Sequence, residues 1–125
     1  MSGQWQSVNV AAVNTAATFS VTSGTTSGGI IRLRSLQATI SGTGAGSATI
    51  VVRDGATAVG TIIMQTSIAN AANSSGSVTI NNIDLRATSG TLTVESTTGG
   101  GANTTIAVSA QGDYAQLGVS YLGGS

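Results

Sequence analysis

The chain contains no cysteine, no histidine and no lysine, and charged residues make up only 6% of its length. Without cysteine there is no disulfide framework and no sign of redox compartment. Without all three, serine–histidine and cysteine–histidine nucleophile pairs, Schiff bases and ordinary zinc sites are excluded. The remaining acid–base groups are Asp54, Asp84, Glu95 and Asp113. Two of them could serve a glycosidase, which needs its carboxyls ~5–10 Å apart. Asp54, however, falls in an Asp-Gly turn, and Asp84 beside Arg86 reads as a surface ion pair. The sequence therefore points away from an enzyme.

Other classes are excluded on similar grounds. Arg32, Arg34, Arg53 and Arg86 are balanced by the four carboxylates, so no basic stripe exists to neutralise a nucleic-acid backbone. No apolar run approaches the ~18 residues of a membrane span. Met1 to Trp5 has neither the charged start nor the apolar segment of a signal peptide, so assembly in the cytoplasm is expected. The glycine-rich loops at 42–46 and 99–101 lack the Lys-Ser/Thr of a phosphate-binding loop. Asn81, Asn82 and Asp84 are oxygen donors of the kind calcium takes, but the ordered alternation of a calcium loop is missing. No cofactor or metal is expected.

What is present is a β-rich, uncharged chain. Its 125 residues suffice for one domain, and 40% are hydrophobic. The Val, Ile and Thr content argues against disorder. Soluble domains usually carry about 25% charged residues; here Ser, Thr, Asn, Gln and Gly must cover the surface. A net charge of zero favours association, and uncharged strand borders invite pairing with other chains. A homo-oligomer or larger assembly is the simplest solution.

Along the chain, residues 1–14 read as a polar arm or edge strand, 15–122 as a β-sandwich domain and 123–125 as a free tail. In the arm, Trp5 either anchors an interface or caps its own core. Ala17–Thr22 alternates with Phe19 and Val21 inward. The longest strand is Ile30–Ile40, in which Ile31 and Leu33 share one parity while Leu36, Ala38 and Ile40 share the other. A bulge near Arg34-Ser35 would bring both sets onto one face, leaving Arg32, Gln37 and Thr39 outside.

Ala48–Arg53 follows, and Asp54-Gly55 signals a hairpin into a strand at Thr57–Gln65. That strand has apolar groups on both faces, Val59 and Ile63 on one and Ile62 and Met64 on the other, which suggests a covering partner. Residues 66–75 read as a loop. Ser77–Ala87 needs a second bulge, at Asn81-Asn82, with Asp84 and Arg86 outward. Thr91–Thr97 places Leu92 and Val94 inward and Thr93 and Glu95 outward; Thr104–Ala110 and Asp113–Leu122 complete the set. Eight or nine strands with frequent turns predict an all-β, antiparallel β-sandwich, jelly-roll-like, with an immunoglobulin-like sandwich as second choice.

The stretches Ile31–Gly42, Ile50–Gly55 and Val108–Tyr114 resemble the small β-sandwich virion structural proteins of tailed bacteriophages, of the capsid decoration (cement) or head-fibre type. That resemblance implies no catalysis. It implies a trimer or other oligomer seated on the major capsid protein or other virion proteins, and location at the capsid surface. The candidate interface residues are Trp5, Val8 and Val10 of the arm, Arg32 and Arg34, and Ile62 and Met64. A tail or baseplate structural module is an alternative. So is a glycan-binding module, although the chain offers few aromatics for sugar stacking.

Overall fold

The computed structural model describes residues 4–22 and 29–116. Nine strands and no helix occur among them: β1 (Gln4–Val10), β2 (Thr18–Thr22), β3 (Gly29–Gly42), β4 (Gly46–Asp54), β5 (Thr61–Asn70), β6 (Ser74–Ile80), β7 (Leu85–Ala87), β8 (Thr91–Ser96) and β9 (Thr104–Gln116). One sheet runs β1-β9-β3-β6, with β7 also paired to β3; the other runs β2-β8-β4-β5, and every pairing is antiparallel. First strand pairs with last, second with next to last, and so on inward to the β4–β5 hairpin. This nesting is a ribbon rolled on itself, the jelly roll, and it decides against the immunoglobulin-like layout. β6 and β7 lie in line along β3, opposite Leu36–Gly42 and Ile31–Leu33, so they act as one interrupted strand.

The core lies between the sheets. From the first sheet come Ile31, Leu33, Leu36, Ala38, Ile40, Ile106 and Val108; from the second come Ile50, Val52, Leu92 and Val94. The parity change within β3 is resolved as its sequence requires. Its register against β9 shifts between Leu33 and Ser35, so Arg34 is an extra residue and apolar side chains on both sides of it point inward. The Asn81-Asn82 irregularity goes further than a bulge: pairing stops at Ile80 and resumes at Leu85, with Asn82 at φ 59°.

Four expectations need correction. Residues 66–75 are not a loop; β5 continues to Asn70, and Ala71-Ala72-Asn73 turns tightly into β6 with Asn73 at φ 60°. The Asp54-Gly55 signal marks a six-residue connection, 55–60, rather than a tight hairpin, and β5 starts at Thr61 instead of Thr57. The segments 104–110 and 113–116 are one strand, continuous through Gly112, so the alternation that turns Ile106, Val108 and Ala110 inward carries on to Tyr114, which packs on the core. Thr93 and Glu95 do face away from the core but are buried there, because the 55–60 connection folds back over the outer face of β8. The base of that connection is pinched. A Cβ on either Gly55 or Gly60 would come within 2.7 Å of the other's backbone, so both positions require glycine. The expected strand beyond residue 116 and the free tail at 123–125 lie outside the described residues.

Candidate functional site

Eight charged side chains are engaged in three ways. Under the 55–60 connection, the Arg53 Nε donates to the Glu95 carboxylate, the Ala58 amide donates to the same carboxylate, and the Arg53 Nη1 donates to the Gly60 carbonyl at 2.9 Å. Asp54 accepts from the Thr88 and Ser89 amides at 3.2 and 3.0 Å. Burial pushes its carboxyl upward, but the donors from Ser89 and Thr88 outweigh it and hold the pKa below the usual aspartate value. These groups pin connections to the sandwich and offer no reactive arrangement.

The other five charges gather at one end of the outer face of the β1-β9-β3-β6 sheet. Arg32 donates to Asp113 at 2.6 Å, and this bond raises the guanidinium pKa further above its ordinary value. Arg86 donates to Asp84 at 3.0 Å, lowering the carboxyl pKa and raising its own. Arg34, extruded by the bulge and half-exposed, approaches Asp113 only to 4.0 Å. Among the described residues no cluster of three or more His, Cys, Asp or Glu side chains could hold a metal ion. Asp84, one of the oxygen donors considered for calcium, faces Arg86 instead.

The same face is graded along its strands. Its cross-strand rows are Gln4, Asp113, Arg32 and Arg86; then Gln6, Gln111 and Ser35; then Val8, Ser109, Gln37 and Thr79; then Val10, Ala107, Thr39 and Ser77. Charge gives way to amides, and amides to hydroxyls and valine. Where β3 bulges and the β6–β7 strand is interrupted, the face is recessed. Cavities of about 390, 580 and 220 Å³ lie there, and their walls overlap at Gln6, Arg34, Ser35, Asn81, Gln111 and Asp113.

The sequence-predicted interface residues divide accordingly. Val8 and Val10 are 65% and 67% exposed, on the same face as Arg32 and Arg34. Trp5 belongs to the core at 8% exposure, so its ring is not offered to a partner: β1 pairs with β9 of its own sheet and turns Trp5 inward. Ile62 and Met64 sit on β5 in the other sheet. The register against β4 shifts between Val52 and Arg53, placing Ile63 as an extra residue, and both Ile63 and Met64 pack on the core. Met64 therefore needs no partner to cover it, whereas Ile62 is 45% exposed. Sequence reasoning missed Gln4, Gln6 and Gln111, and it singled out Asn81 and Asn82 as calcium donors and as a bulge rather than as part of this recess. Only the Asn81-Asn82 irregularity signalled their place, because the rest depends on the long-range pairing of β1 with β9.

No family model and no characterised protein sequence matches this chain. Among solved structures, similar ones include a Podospora anserina GH26-CBM35 β-(1,4)-mannanase (16% identity, TM-score 0.44, covering 80% of this chain and 20% of that one). Another is a virus-like particle of the Macrobrachium rosenbergii extra small virus (12% identity, TM-score 0.40, 90% and 79% covered). A third is a Bacillus endospore appendage forming disulfide-linked pili (23% identity, TM-score 0.38, 93% and 88% covered). The chain spans a fifth of the mannanase chain. At these scores the likeness carries nothing beyond a shared β-sandwich texture, and the strand order above stands on its own.

Proposed function

We propose that the chain is a non-enzymatic virion structural protein of the capsid decoration type, which oligomerises and seats on a phage shell. One observation carries this reading. Among the described residues, the strands β1 and β6 that end one sheet and β2 and β5 that end the other contain no charged residue, and only short β7, in line with β6, brings a charge, Arg86, to a border. Every charge lies on a central strand, on short β7 or just before it, at Asp84. The chain also has no proline. Proteins that live as monomers usually blunt sheet edges with lysine, other charges or proline. Three borders without charge and a fourth charged only at its β7 end are tolerable where other copies, or a shell, cover them.

The bonding of the charges supports the same reading. Seven of the eight are satisfied within the fold, by one another or by the backbone, which leaves Arg34 as the loosely held one. Recognition by such a surface rests on shape, main-chain pairing and hydroxyl or amide contacts, as suits a protein added to an assembled lattice. Co-sedimentation of the purified chain with expanded empty capsids tests the shell contact. Saturable binding at a fixed ratio per shell subunit is expected. Failure to bind expanded heads together with binding to purified tails would move the assignment to a tail or baseplate component.

A further inference from the structure

We propose that the recess on the outer face of the β1-β9-β3-β6 sheet is a binding site for a neutral polyhydroxylated chain, an oligosaccharide. This is a second activity, independent of the edge contacts, since the edges can be covered while the face stays open.

The recess is built by two irregularities that coincide. The bulge at Arg34 and the interruption of the β6–β7 strand at residues 81–84 lie side by side, because Leu36 of β3 pairs with Ile80 and Leu33 with Leu85. The three cavities share walls, so together they form one trough running from β1 across β9 and β3 to Asn81. Strands lie about 4.8 Å apart, so a trough crossing β1, β9, β3 and β6 is roughly 15 Å long. That suits an extended chain better than a compact ion.

Its chemistry is that of amides. Gln4, Gln6, Gln111, Asn81 and Asn82 are exposed, and none of these side chains hydrogen-bonds to another described residue. Each amide presents an acceptor and two donors from one planar group, which matches neighbouring sugar hydroxyls that both give and accept. Arg34 and Asp113 are the charged side chains of its wall; Asp113 is held by Arg32 at 2.6 Å, so Arg34, 4.0 Å away, is a single loosely held guanidinium at one end. The rest of the wall is uncharged, so a neutral chain can engage most of it by hydrogen bonding. Trp5 is buried and Tyr114 packs on the core, so recognition works by hydrogen bonding rather than stacking. Affinity about millimolar is expected.

The test is a ¹H–¹⁵N NMR titration of the full chain, with Trp5 fluorescence as a second readout since Trp5, its ring turned to the core, lies on β1 between Gln4 and Gln6 at the trough's edge. The probes are cellotetraose, mannotetraose and chitotetraose, with trigalacturonate as the acidic comparison. Saturable shifts of the side-chain amides of Gln6, Asn81 and Gln111 with at least one neutral probe are expected. Gln111→Ala and Asn81→Ala, both at exposed positions, should each weaken that binding at least fivefold while leaving the backbone spectrum intact. No saturable change with any neutral probe overturns the proposal, as do shifts confined to residues outside the trough. Response to trigalacturonate alone overturns the neutral-ligand assignment. If the same amides broaden as protein concentration rises and the sugars do not compete, the face is an interface between copies and the proposal fails.

Discussion

Trp5 lies directly across the β1–β9 ladder from Gly112, and the side chain that Gly112 lacks is the room its ring edge uses. A Cβ at position 112 would stand 2.9 Å from the Trp5 Cζ2 and 1.7 Å from the Arg32 carbonyl oxygen. Gly112→Ala must therefore displace both the β3 backbone and the tryptophan. A loss of about 3 kcal/mol is expected, the upper end for overpacking. Urea unfolding followed by Trp5 fluorescence measures it, and an unchanged midpoint would show that the ladder yields freely here.

The Arg53–Glu95 pair is the second test of the fold. Its side chains are only 13% and 9% exposed, under the 55–60 connection. Glu95→Ala leaves the Arg53 Nε and the Ala58 amide without their acceptor and the guanidinium without its counter-charge. Removing one member of a buried pair costs about 3–5 kcal/mol. Thermal unfolding should show that loss, and proteolysis should begin in the freed 55–60 segment.

Acid should weaken the sandwich through Asp54. Its folded pKa is lowered, so the unfolded chain binds the proton more tightly. The stabilisation is complete well above the ordinary aspartate pKa of about 3.9 and is lost as pH falls through the lower folded value. Chemical denaturation midpoints between pH 6 and pH 2 should decline chiefly below about pH 4, and Asp54→Asn should flatten part of that decline.

Charges placed on the open edges should disturb association and spare the fold. Val8 and Ile62 are exposed, on β1 and β5 respectively. Val8→Lys and Ile62→Lys should each change unfolding stability, measured on dissociated protein, by no more than about 0.5 kcal/mol. The association constant should fall at least tenfold for whichever edge is covered by another copy. If neither variant changes association, these edges are not the contacts.

Much of the core was legible because local parity reports it. The switch from Ile31 and Leu33 to Leu36, Ala38 and Ile40 requires a bulge at Arg34-Ser35, and the register shift is there. The same reasoning applied to 57–66 would have placed a bulge beside Met64 instead of a partner over it. Two apolar phases in one short strand have either explanation, and only the pairing with β4 distinguishes them. Burial of Thr93 and Glu95 was not legible at all, since their alternation is that of a solvated face and a remote connection covers them. The trough was hidden for a related reason. Gln6, Gln111 and Ser35 are far apart in sequence and meet only through the rolled topology.

The central claim is that uncharged sheet borders are covered by other copies of the chain. Sedimentation velocity of the 12.1 kDa chain across micromolar concentrations tests it most directly. A single species at an integral multiple of that mass, with three copies the favoured number, is the predicted result. A species that stays at the mass of one chain and remains dissolved throughout would contradict it.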